Sequence, residues 1–311
     1  MVELHSTVRR DQIRFPQPVK DDLSYDASMM SDASSATSAR SAPELSIVAA
    51  AQDEVENLES MVSEVFRVVG ELSLSFELII VDDRSTDGSL DLLRALMKKV
   101  SELRVVSIAP DPANAREGKS AALREGIRRA RGSLIVTMDA DLQDDPADIG
   151  AMLEAMRQQH ADLVQGDRSH LRRDTIVRRI SSRVGRYFRH WLLHDPVRDT
   201  GCGLRVLRRE VAQSLPLECR GMHRFIPILS HHMGYHVIEV PVKHRPRTAG
   251  KAKYGIWNRA LPGLIDCLAV RWMRSRRSQI DATELMPSPR KPPSTAPARQ
   301  EADSDREPAG T

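Results

Sequence analysis

Cysteine is scarce in this 311-residue chain, and its three cysteines lie far apart at Cys202, Cys219 and Cys267. No pair is spaced as C-x-x-C, and no set of cysteines and histidines has the spacing of a zinc site. A secreted domain built on disulfides would need more cysteines, in an even number. The scarcity therefore excludes a disulfide scaffold and a zinc-finger module, and it predicts a reducing compartment.

Long apolar runs are also lacking. No stretch reaches the roughly 18 to 20 apolar residues that cross a bilayer. No apolar segment near the N-terminus has the form of a signal peptide. We therefore expect a cytoplasmic protein whose contact with a membrane is peripheral and on the cytoplasmic face.

A strong net charge is absent too, because 46 Lys and Arg nearly balance 43 Asp and Glu for a formal net charge of +3. The charge is uneven, since arginines are frequent and acids few between Arg168 and Arg209, which favours an anionic partner. Nucleic acid would be one such partner. Apart from Tyr187, Phe188 and Trp191, however, no aromatic residues are interleaved with these arginines, so we expect no nucleic-acid binding.

Two polar tails flank one folded block. Residues 1–43 contain the run SDASSATSARSAP, and residues 280–311 contain MPSPRKPPSTAPARQ before an acidic end. Neither composition can bury enough apolar surface to offset the entropy of ordering, so both tails are predicted to be disordered. Between them we expect a folded domain over residues 44–255 and an amphipathic helix over residues 256–279.

The folded block alternates between strand and helix patterns. The predicted strands begin at Leu45, Glu77, Arg104 and Ser133, and the predicted helices cover residues 54–69, 90–100 and 119–131. Gly132 is expected to close the last of these helices. This alternation predicts an α/β fold, with a mostly parallel sheet covered by helices on both faces.

Acidic residues follow two of these strands. Asp82 and Asp83 end the second strand, and Asp139 and Asp141 come at the end of the fourth. Open parallel sheets bind ligands beyond the carboxyl ends of their strands. Two carboxylates spaced by one residue can turn toward a single Mg²⁺ or Mn²⁺, which then shares its coordination with substrate phosphates. The alternative is that each acidic segment is a solvent-exposed turn whose side chains only cap the helix that follows.

Seven short motifs run along the chain in a fixed order. They are DEVENL from Asp53, VDDRSTDG from Val81, GKSAAL from Gly118, MDADLQDDP from Met138, GDR from Gly166, DTGCGLR from Asp199 and RTAGKAKYG from Arg247. Together they resemble family 2 glycosyltransferases, and within these the polyprenyl-phosphate and dolichol-phosphate sugar synthases, such as the dolichol-phosphate mannosyltransferases. The resemblance covers the chain from about Leu45 to Met273.

The resemblance implies a GT-A type fold, with residues 44–255 as the catalytic domain. It also implies a nucleotide-diphosphate sugar donor (GDP-mannose or a UDP-hexose), Mg²⁺ or Mn²⁺, a polyprenyl-phosphate acceptor and inversion at the anomeric carbon. Three groups of site residues follow from it. They are Ala50, Gln52, Glu54, Val81, Asp83, Asp139, Ala140, Arg247 and Lys253 for the donor, Asp139, Asp141 and Gln143 for the metal, and Asp141, Arg168, Asp199 and Arg205 for catalysis.

Three features depart from the family pattern. The family often has a Pro and a Tyr or Asn in its first motif, where this chain has Ala50, Gln52 and Asp53, so base stacking by a Tyr is lost. Ala252 replaces a Ser in the last motif, which removes a hydroxyl from the predicted phosphate-binding loop. Many relatives also carry transmembrane helices after the catalytic domain, and this sequence shows no such apolar run there.

A prenyl phosphate needs little help to act as a nucleophile, because its second pKa of about 6 leaves it ionised near neutral pH. The enzyme must mainly hold two anions that repel each other, and a guanidinium binds phosphate in a fork. The leading candidates for this task are Arg168, Arg205, Arg245 and Arg247. Asp199 could orient the acceptor or act as a weak base, and the alternative is a capping or salt-bridge role.

Residues 256–274 carry the last apolar pattern. Its members on one helical side are Leu261, Leu264, Ile265, Leu268 and Trp272, flanked by Arg271 and Arg274. The pattern is typical of a helix that lies in the headgroup region of a membrane. The alternative is an ordinary helix that packs on the core.

Two other functions remain open at this stage. One keeps the donor chemistry and changes the acceptor to a soluble sugar, a protein or another lipid. The more distant one is a nucleic-acid-binding or phosphoacceptor signalling protein. Phosphoacceptor domains carry their acidic pair on the first strand, whereas here the strand from Leu45 to Ala50 precedes that pair.

Overall fold

The computed structural model describes residues 42–109, 118–170, 185, 187–194, 197–246 and 257–277, with the backbone alone for residues 257–262. The predicted tails fall outside these ranges apart from residues 42 and 43, and so do Arg247 and Lys253.

The described residues form one seven-stranded sheet in the order β3-β2-β1-β4-β6-β5-β7. Its strands are β1 Leu45–Ala51, β2 Phe76–Asp82, β3 Leu103–Ser107, β4 Leu134–Asp139, β5 Leu163–Asp167, β6 Arg205–Arg208 and β7 Val237–Pro241. Strand β6 runs antiparallel to both of its neighbours, and the other pairs are parallel. The predicted mostly parallel sheet is confirmed.

Helices connect these strands. They are α1 Val55–Gly70, α2 Ser89–Met97, α3 Lys119–Arg129, α4 Asp148–Gln158, α5 Arg209–Ser214, α6 Ile226–His232 and α7 Trp257–Arg276, with a short 3-10 helix at Met222–Arg224. Residues 187–193 are helical as well. Within the described ranges, none of these helices is long and apolar enough to cross a membrane.

Successive residues of the central strands point into two different cores, one on each face of the sheet. On β1, Ile47 faces the core that contains Leu58 of α1, whereas Val48 faces the core that contains Leu123 of α3. All four side chains are fully buried, and burial of such a side chain stabilises the fold by about 1.5–3 kcal/mol. The two cores confirm that helices cover both faces of the sheet.

Gly132 does not close α3, so that prediction was wrong. The helix ends at Arg129, and Ala130 after it is already extended. A Cβ atom at Gly132 would lie only 2.6 Å from the backbone nitrogen of Ser46. The glycine is therefore needed because the chain entering β4 passes directly against β1.

Candidate active site

The carboxyl ends of the parallel strands meet at one edge of the sheet, which we name the carboxyl edge. Ala50 pairs in register with Val81 on one side and with Asp139 on the other. Of the predicted donor-binding residues on these strands, Val81 and Ala140 have buried side chains, and Ala50 is partly exposed. A nucleotide could therefore reach Val81 and Ala140 mainly through their backbone.

The loops after β1 and β2 are fastened to each other at this edge. The side-chain amide of Gln52 donates to the carbonyl oxygen of Asp83 at 3.3 Å. The backbone N–H of Glu54 donates to Ser89 Oγ at 3.1 Å, and the Glu54 carboxylate accepts a bond of 2.7 Å from Asn57 Nδ2. The residues predicted to lie near the nucleoside are thus brought together.

Two buried carboxylate oxygens lie at the end of β2 without a hydrogen-bond donor among the described residues. They are Oδ1 of Asp82 and Oδ1 of Asp83. Asp83 Oδ2 accepts from the backbone N–H of Gly118 at 3.1 Å, and the guanidinium Nε of Arg84 is 3.6 Å from Oδ1. A buried acceptor without a donor is costly, so an N–H group of a ligand would be stabilising here.

Asp139, at the end of β4, is paired with Lys119. Lys119 is the first residue of α3, and Gly118 before it has a φ of 77° that favours glycine. Burial acts to raise the pKa of Asp139, but the positive charge of Lys119 and its hydrogen bond hold that pKa below the usual value. Asp139 is therefore ionised at neutral pH.

A second carboxylate lies directly behind Asp139. The backbone N–H of Asp139 donates to Asp144 Oδ2 at 3.1 Å, while that of Gln143 donates to Asp141 Oδ1 at 3.2 Å. Burial, followed by the negative charge of Asp139, raises the pKa of Asp144 to about 7. The loop after β4 therefore brings several carboxylates together, and the negative charge of Asp139 opposes ionisation of Asp144.

Gly203 leaves room for these carboxylates. A Cβ atom at this position would lie 2.7 Å from Oδ1 of Asp139 and 2.7 Å from Oδ2 of Asp144. The hydroxyl of Thr137 on β4 donates to the carbonyl oxygen of Gly203 at 2.9 Å, which holds the segment before β6 in place. The second glycine of DTGCGLR is thus part of the carboxylate cluster.

Arg168 and Asp199 form a buried ion pair at the same edge. Arg168 follows β5, and its Nε lies 2.9 Å from Asp199 Oδ2, while its backbone N–H donates to the same oxygen at 3.2 Å. Asp199 Oδ1 also accepts from the backbone N–H of Gly201 at 3.1 Å. Asp199 therefore forms a salt bridge that holds Arg168 in place.

Arg205 starts β6 and lies in the interior, with 2% of its surface exposed. Its guanidinium donates to Gln165 Oε1 at 2.7 Å and to the carbonyl oxygen of Thr200 at 3.2 Å. Burial lowers the pKa of Arg205. In this position Arg205 supports the DTGCGLR loop from the interior of the domain, and its burial leaves a bound phosphate little access to the guanidinium.

Arg245 is held by two acids. Its guanidinium lies 2.7 Å from Glu64 of α1 and 2.8 Å from Asp145, and its backbone N–H donates to the carbonyl oxygen of Gln143 at 3.1 Å. Hydrogen bonds to Glu64 raise the pKa of Arg245 above its usual value. Arg245 therefore fastens the chain just before the RTAGKAKYG motif, which we name the basic loop, to the loop that carries Asp141.

A protein-family comparison assigns this arrangement to a class of enzyme. The family described as glycosyl transferase family 2 matches residues 46–215, which covers most of the sheet and its carboxyl edge. The chain is a family 2 glycosyltransferase. The matched span contains the acidic ends of β2 and β4, the Arg168–Asp199 pair and Arg205.

Named relatives of this glycosyltransferase agree with that assignment. It is 30% identical over 233 residues to the undecaprenyl-phosphate 4-deoxy-4-formamido-L-arabinose transferase of Edwardsiella ictaluri, covering 74% of this chain and 70% of the relative. It is 33% identical over 234 residues to the dodecaprenyl-phosphate galacturonate synthase of Rhizobium johnstonii, covering 73% and 66%.

A solved structure shows the fold class. The mannosyltransferase of Pyrobaculum calidifontis, in complex with GDP-Man and Mn²⁺, matches with a TM-score of 0.52 at 17% identity, covering 77% of this chain and 66% of that one. The expected GT-A type fold is therefore confirmed for this glycosyltransferase.

The carboxyl edge of the glycosyltransferase fits a divalent cation in its chemistry. Its oxygen ligands are hard, and Gly203 leaves room beside Asp139 and Asp144. Among the described residues, no three His, Cys, Asp or Glu side chains converge as a complete cation site. Mg²⁺ and Mn²⁺ are commonly held by one or two carboxylates together with substrate phosphates, so Asp139, Asp141 and Gln143 remain the predicted ligands.

Three residues of the glycosyltransferase lie in this cluster without having been assigned a role from the sequence. Lys119 belongs to the motif GKSAAL, where a Gly-Lys pair at the start of a helix could have indicated it. Asp144 belongs to the motif MDADLQDDP, where the run of acidic residues could have indicated it. His223 has no local signal. Its Nδ1 lies 2.9 Å from the hydroxyl of Ser120, which is 103 residues away in the chain.

Proposed function

We propose that this glycosyltransferase transfers a hexose, with inversion, from GDP-mannose or a UDP-hexose to a polyprenyl phosphate. The supporting observation is the buried Arg168–Asp199 pair beside the carboxylate cluster, with 2.9 Å between Nε and Oδ2. Its guanidinium is held in place by the carboxylate of Asp199. An acceptor that is already ionised suits such a site, and the two relatives described above are named for prenyl-phosphate acceptors.

The donor occupies the carboxyl edge in this proposal. Oδ1 of Asp83 accepts an N–H of the base, and Gln52 and Glu54 lie beside it on the loop after β1. Asp139, Asp141 and Gln143 hold Mg²⁺ or Mn²⁺, which when bound neutralises the charge on the diphosphate leaving group.

The acceptor phosphate lies on the Arg168 side. One of its oxygens forms a bond to the anomeric carbon as the bond from that carbon to the diphosphate breaks, and the nucleoside diphosphate leaves. Attack from the face opposite the leaving group inverts the configuration. Asp199 orients Arg168 and need not remove a proton, because a carboxylate tied to a guanidinium is a weak base and the nucleophile is already an anion.

The basic loop supplies the remaining positive charge in this proposal. Arg247 and Lys253 contact the phosphates when the loop closes on them, and both lie outside the described residues. Support comes from Arg245, which ties the start of this segment to Glu64 and Asp145. Positive charge delivered as the diphosphate leaves stabilises the transition state more than the bound substrate.

We also propose that α7 rests on a membrane surface, where a prenyl phosphate would be found. Cys267 and Val270 are buried against the domain, while Leu268 and Trp272 on the opposite side are 51% and 62% exposed. Trp191, from the neighbouring helical residues 187–193, is 64% exposed and extends this apolar surface. Exposed aromatic and aliphatic side chains of this kind favour the interfacial region of a bilayer.

The arginines of α7 join the two helices. Arg271 donates to the carbonyl oxygen of Leu192 at 3.1 Å, and Arg274 donates to that of Leu193 at 3.4 Å. They therefore hold the end of the helical residues 187–193 against α7. The exposed side chains of Leu268, Trp272 and Trp191 therefore lie on two helices that are joined by hydrogen bonds.

Vesicle flotation tests the membrane proposal. Leu268→Asp should reduce binding to anionic lipid vesicles about tenfold or more, because it puts a charge on the apolar face. Ser63→Asp adds the same charge at an exposed position of α1, which packs on the opposite face of the sheet, and should bind nearly as the wild type does. Equal binding by the two variants would contradict the proposal.

A transfer assay tests the enzymatic proposal. The purified protein would be incubated with Mn²⁺, labelled GDP-mannose or UDP-hexoses, and farnesyl phosphate or soluble sugars as acceptors. We expect the label to move to farnesyl phosphate with at least one donor. Label on the soluble sugars alone would favour the alternative acceptor class, and donor binding without transfer to any acceptor would reject the reaction.

A further inference from the structure

His223 lies in the short 3-10 helix Met222–Arg224, which precedes α6. Gly221 before it has a φ of 82°, which favours glycine, and a side chain at Gly221 would collide with Asp266 of α7. Arg224 after it lies 3.9 Å from the same Asp266. The residues on either side of His223 therefore both lie close to Asp266 of α7.

Two contacts join His223 to the start of α3. Its backbone N–H donates to Ser120 Oγ at 3.1 Å, and its Nδ1 lies 2.9 Å from the same oxygen. Ser120 is 2% exposed and directly follows Lys119, which pairs with Asp139. In the first turn of α3, Lys119 thus contacts the carboxylate of Asp139, and Ser120 contacts His223.

These contacts are compatible with the Nε2–H tautomer. The hydroxyl of Ser120 can accept the backbone N–H of His223 with one lone pair and donate its own hydrogen to Nδ1, which leaves the imidazole proton on Nε2. The side chain of His223 is half-buried, and among the described residues its Nε2 makes no hydrogen bond. In that tautomer, Nε2–H is a donor without an acceptor among the residues that the structure describes.

The imidazole is also uncharged. Burial is the first cause, and the nearby positive charges of Lys119, Arg224 and Arg205 add to it. Together they lower the pKa of His223 to about 2, although Asp139 opposes the shift. An imidazolium would repel Lys119 and any bound cation, whereas the neutral ring can lie beside both.

We propose that Nε2–H of His223 donates a hydrogen bond to a diphosphate oxygen of the nucleotide sugar. The proposal rests on the proposed function, since that function brings a diphosphate to Asp139 and Lys119. A neutral donor supplies a directed bond to the anion without competing with the cation for its charge. His223 is then a donor-binding residue beside the motifs that the sequence identifies.

Two substitutions separate the two ends of the imidazole. In His223→Gln the side-chain amide nitrogen takes the place of Nε2, so the donor is kept and the contact with Ser120 is lost. In His223→Asn the amide takes the place of Nδ1, so the contact with Ser120 is kept and the donor is lost. Binding of UDP and GDP in the presence of Mn²⁺ would be measured by calorimetry for both variants.

The Asn variant should bind nucleoside diphosphate about 10- to 100-fold more weakly than the wild type, as expected for a hydrogen bond to a charged group. The Gln variant should stay within a few-fold of the wild type. His231→Asn, at an exposed position of α6, is the matched control and should have no effect. The opposite ranking, equal losses or no loss in either variant would overturn the proposal, and circular dichroism would verify folding.

A spectroscopic measurement on the wild type gives a second readout. Long-range proton–nitrogen NMR of the imidazoles should show His223 as the Nε2–H tautomer between pH 5 and 8. Its Nε2 signal should shift when UDP or GDP is added with Mg²⁺. A charged imidazole ring, or an Nε2 chemical shift that does not change when the nucleotide binds, would overturn the proposal.

The measurement of nucleotide binding needs no acceptor. The role of His223 and the proposed transfer to a prenyl phosphate can therefore be contradicted separately. If the wild type binds nucleotide and the variants rank as expected, but no sugar reaches a prenyl phosphate, the acceptor assignment fails and His223 keeps its role. If the wild type binds neither UDP nor GDP with Mn²⁺, the donor assignment fails and His223 loses its role with it.

Discussion

Gly203→Ala would place a methyl group between Asp139, which the proposed reaction needs, and the neighbouring carboxylate of Asp144. The added Cβ would lie 2.7 Å from Asp139 Oδ1 and 2.7 Å from Asp144 Oδ2. Thr137 fixes this part of the chain by its bond of 2.9 Å to the carbonyl oxygen of Gly203, so the backbone cannot easily retreat. The carboxylates must move instead.

The size of that movement sets the expected effect. Ordinary contacts between carbon atoms are about 3.5 Å or longer, so on this measure each carboxylate must retreat by roughly 0.8 Å. A misplacement of about 1 Å at a reacting centre can cost about a hundredfold in rate, and overpacking costs about 1–3 kcal/mol of stability. We therefore expect kcat to fall about 10- to 100-fold in a protein that still folds.

The assay would measure sugar transfer at saturating donor and Mn²⁺, with calorimetry of nucleoside diphosphate binding alongside it. Gly70→Ala is the matched control, because nothing lies within 4 Å of the added Cβ and the residue ends α1. That control should keep its rate and gain slightly in stability, since Ala favours a helix more than Gly does. Wild-type turnover and nucleotide affinity in Gly203→Ala would refute the reasoning.

Three further predictions concern the metal site, the core and the basic loop. Asp141→Ala should abolish both transfer and Mn²⁺-dependent donor binding, whereas Asp91→Ala on the exposed face of α2 should preserve them; metal-dependent donor affinity in the first variant would count against the assignment. Glu77 is buried, which raises its pKa, yet hydrogen bonds from neighbouring arginines and a serine lower that pKa below its usual 4.5. The stabilisation by ionised Glu77 is therefore present above pH 4.5 and is lost as the pH falls below that value. In urea unfolding, Glu77→Gln should be about 1.5–3 kcal/mol less stable than the wild type at pH 7. This difference in the free energy of unfolding should disappear in acid. A difference independent of pH would contradict this. Arg247→Ala combined with Lys253→Ala should slow transfer about a hundredfold and change nucleotide affinity much less, and near-wild-type turnover of a folded double variant would remove the loop from the site.

Periodicity predicted the first half of the fold because each of those elements buries one regular face. Strands β1 to β4 and helices α1 to α3 follow the apolar patterns from Leu45 to Asp139. The antiparallel insertion of β6 between β4 and β5 could not be read in this way, because it depends on pairing between distant residues such as Thr137 and Arg205. Gly132 was misread because a helix cap and a close approach of two backbones both require glycine.

The acidic part of the site could be predicted because the acids follow strands whose ends must meet. The arginines could not be assigned in the same way, since a sequence does not show which acid or amide each one contacts. Arg205 turns inward to Gln165 on β5, and Arg245 turns to Glu64 on α1. His223 lacked any local pattern because its partner Ser120 is contributed by α3.

The structure of the reaction product tests the central claim most directly. Proton and phosphorus NMR of the lipid product, made from an α-linked nucleotide sugar and farnesyl phosphate, would identify both the new bond and the anomeric configuration. We predict a sugar joined through C1 to the prenyl phosphate in the β configuration, as direct attack by the phosphate requires. An α-linked product, or sugar released as free hexose, would contradict the account.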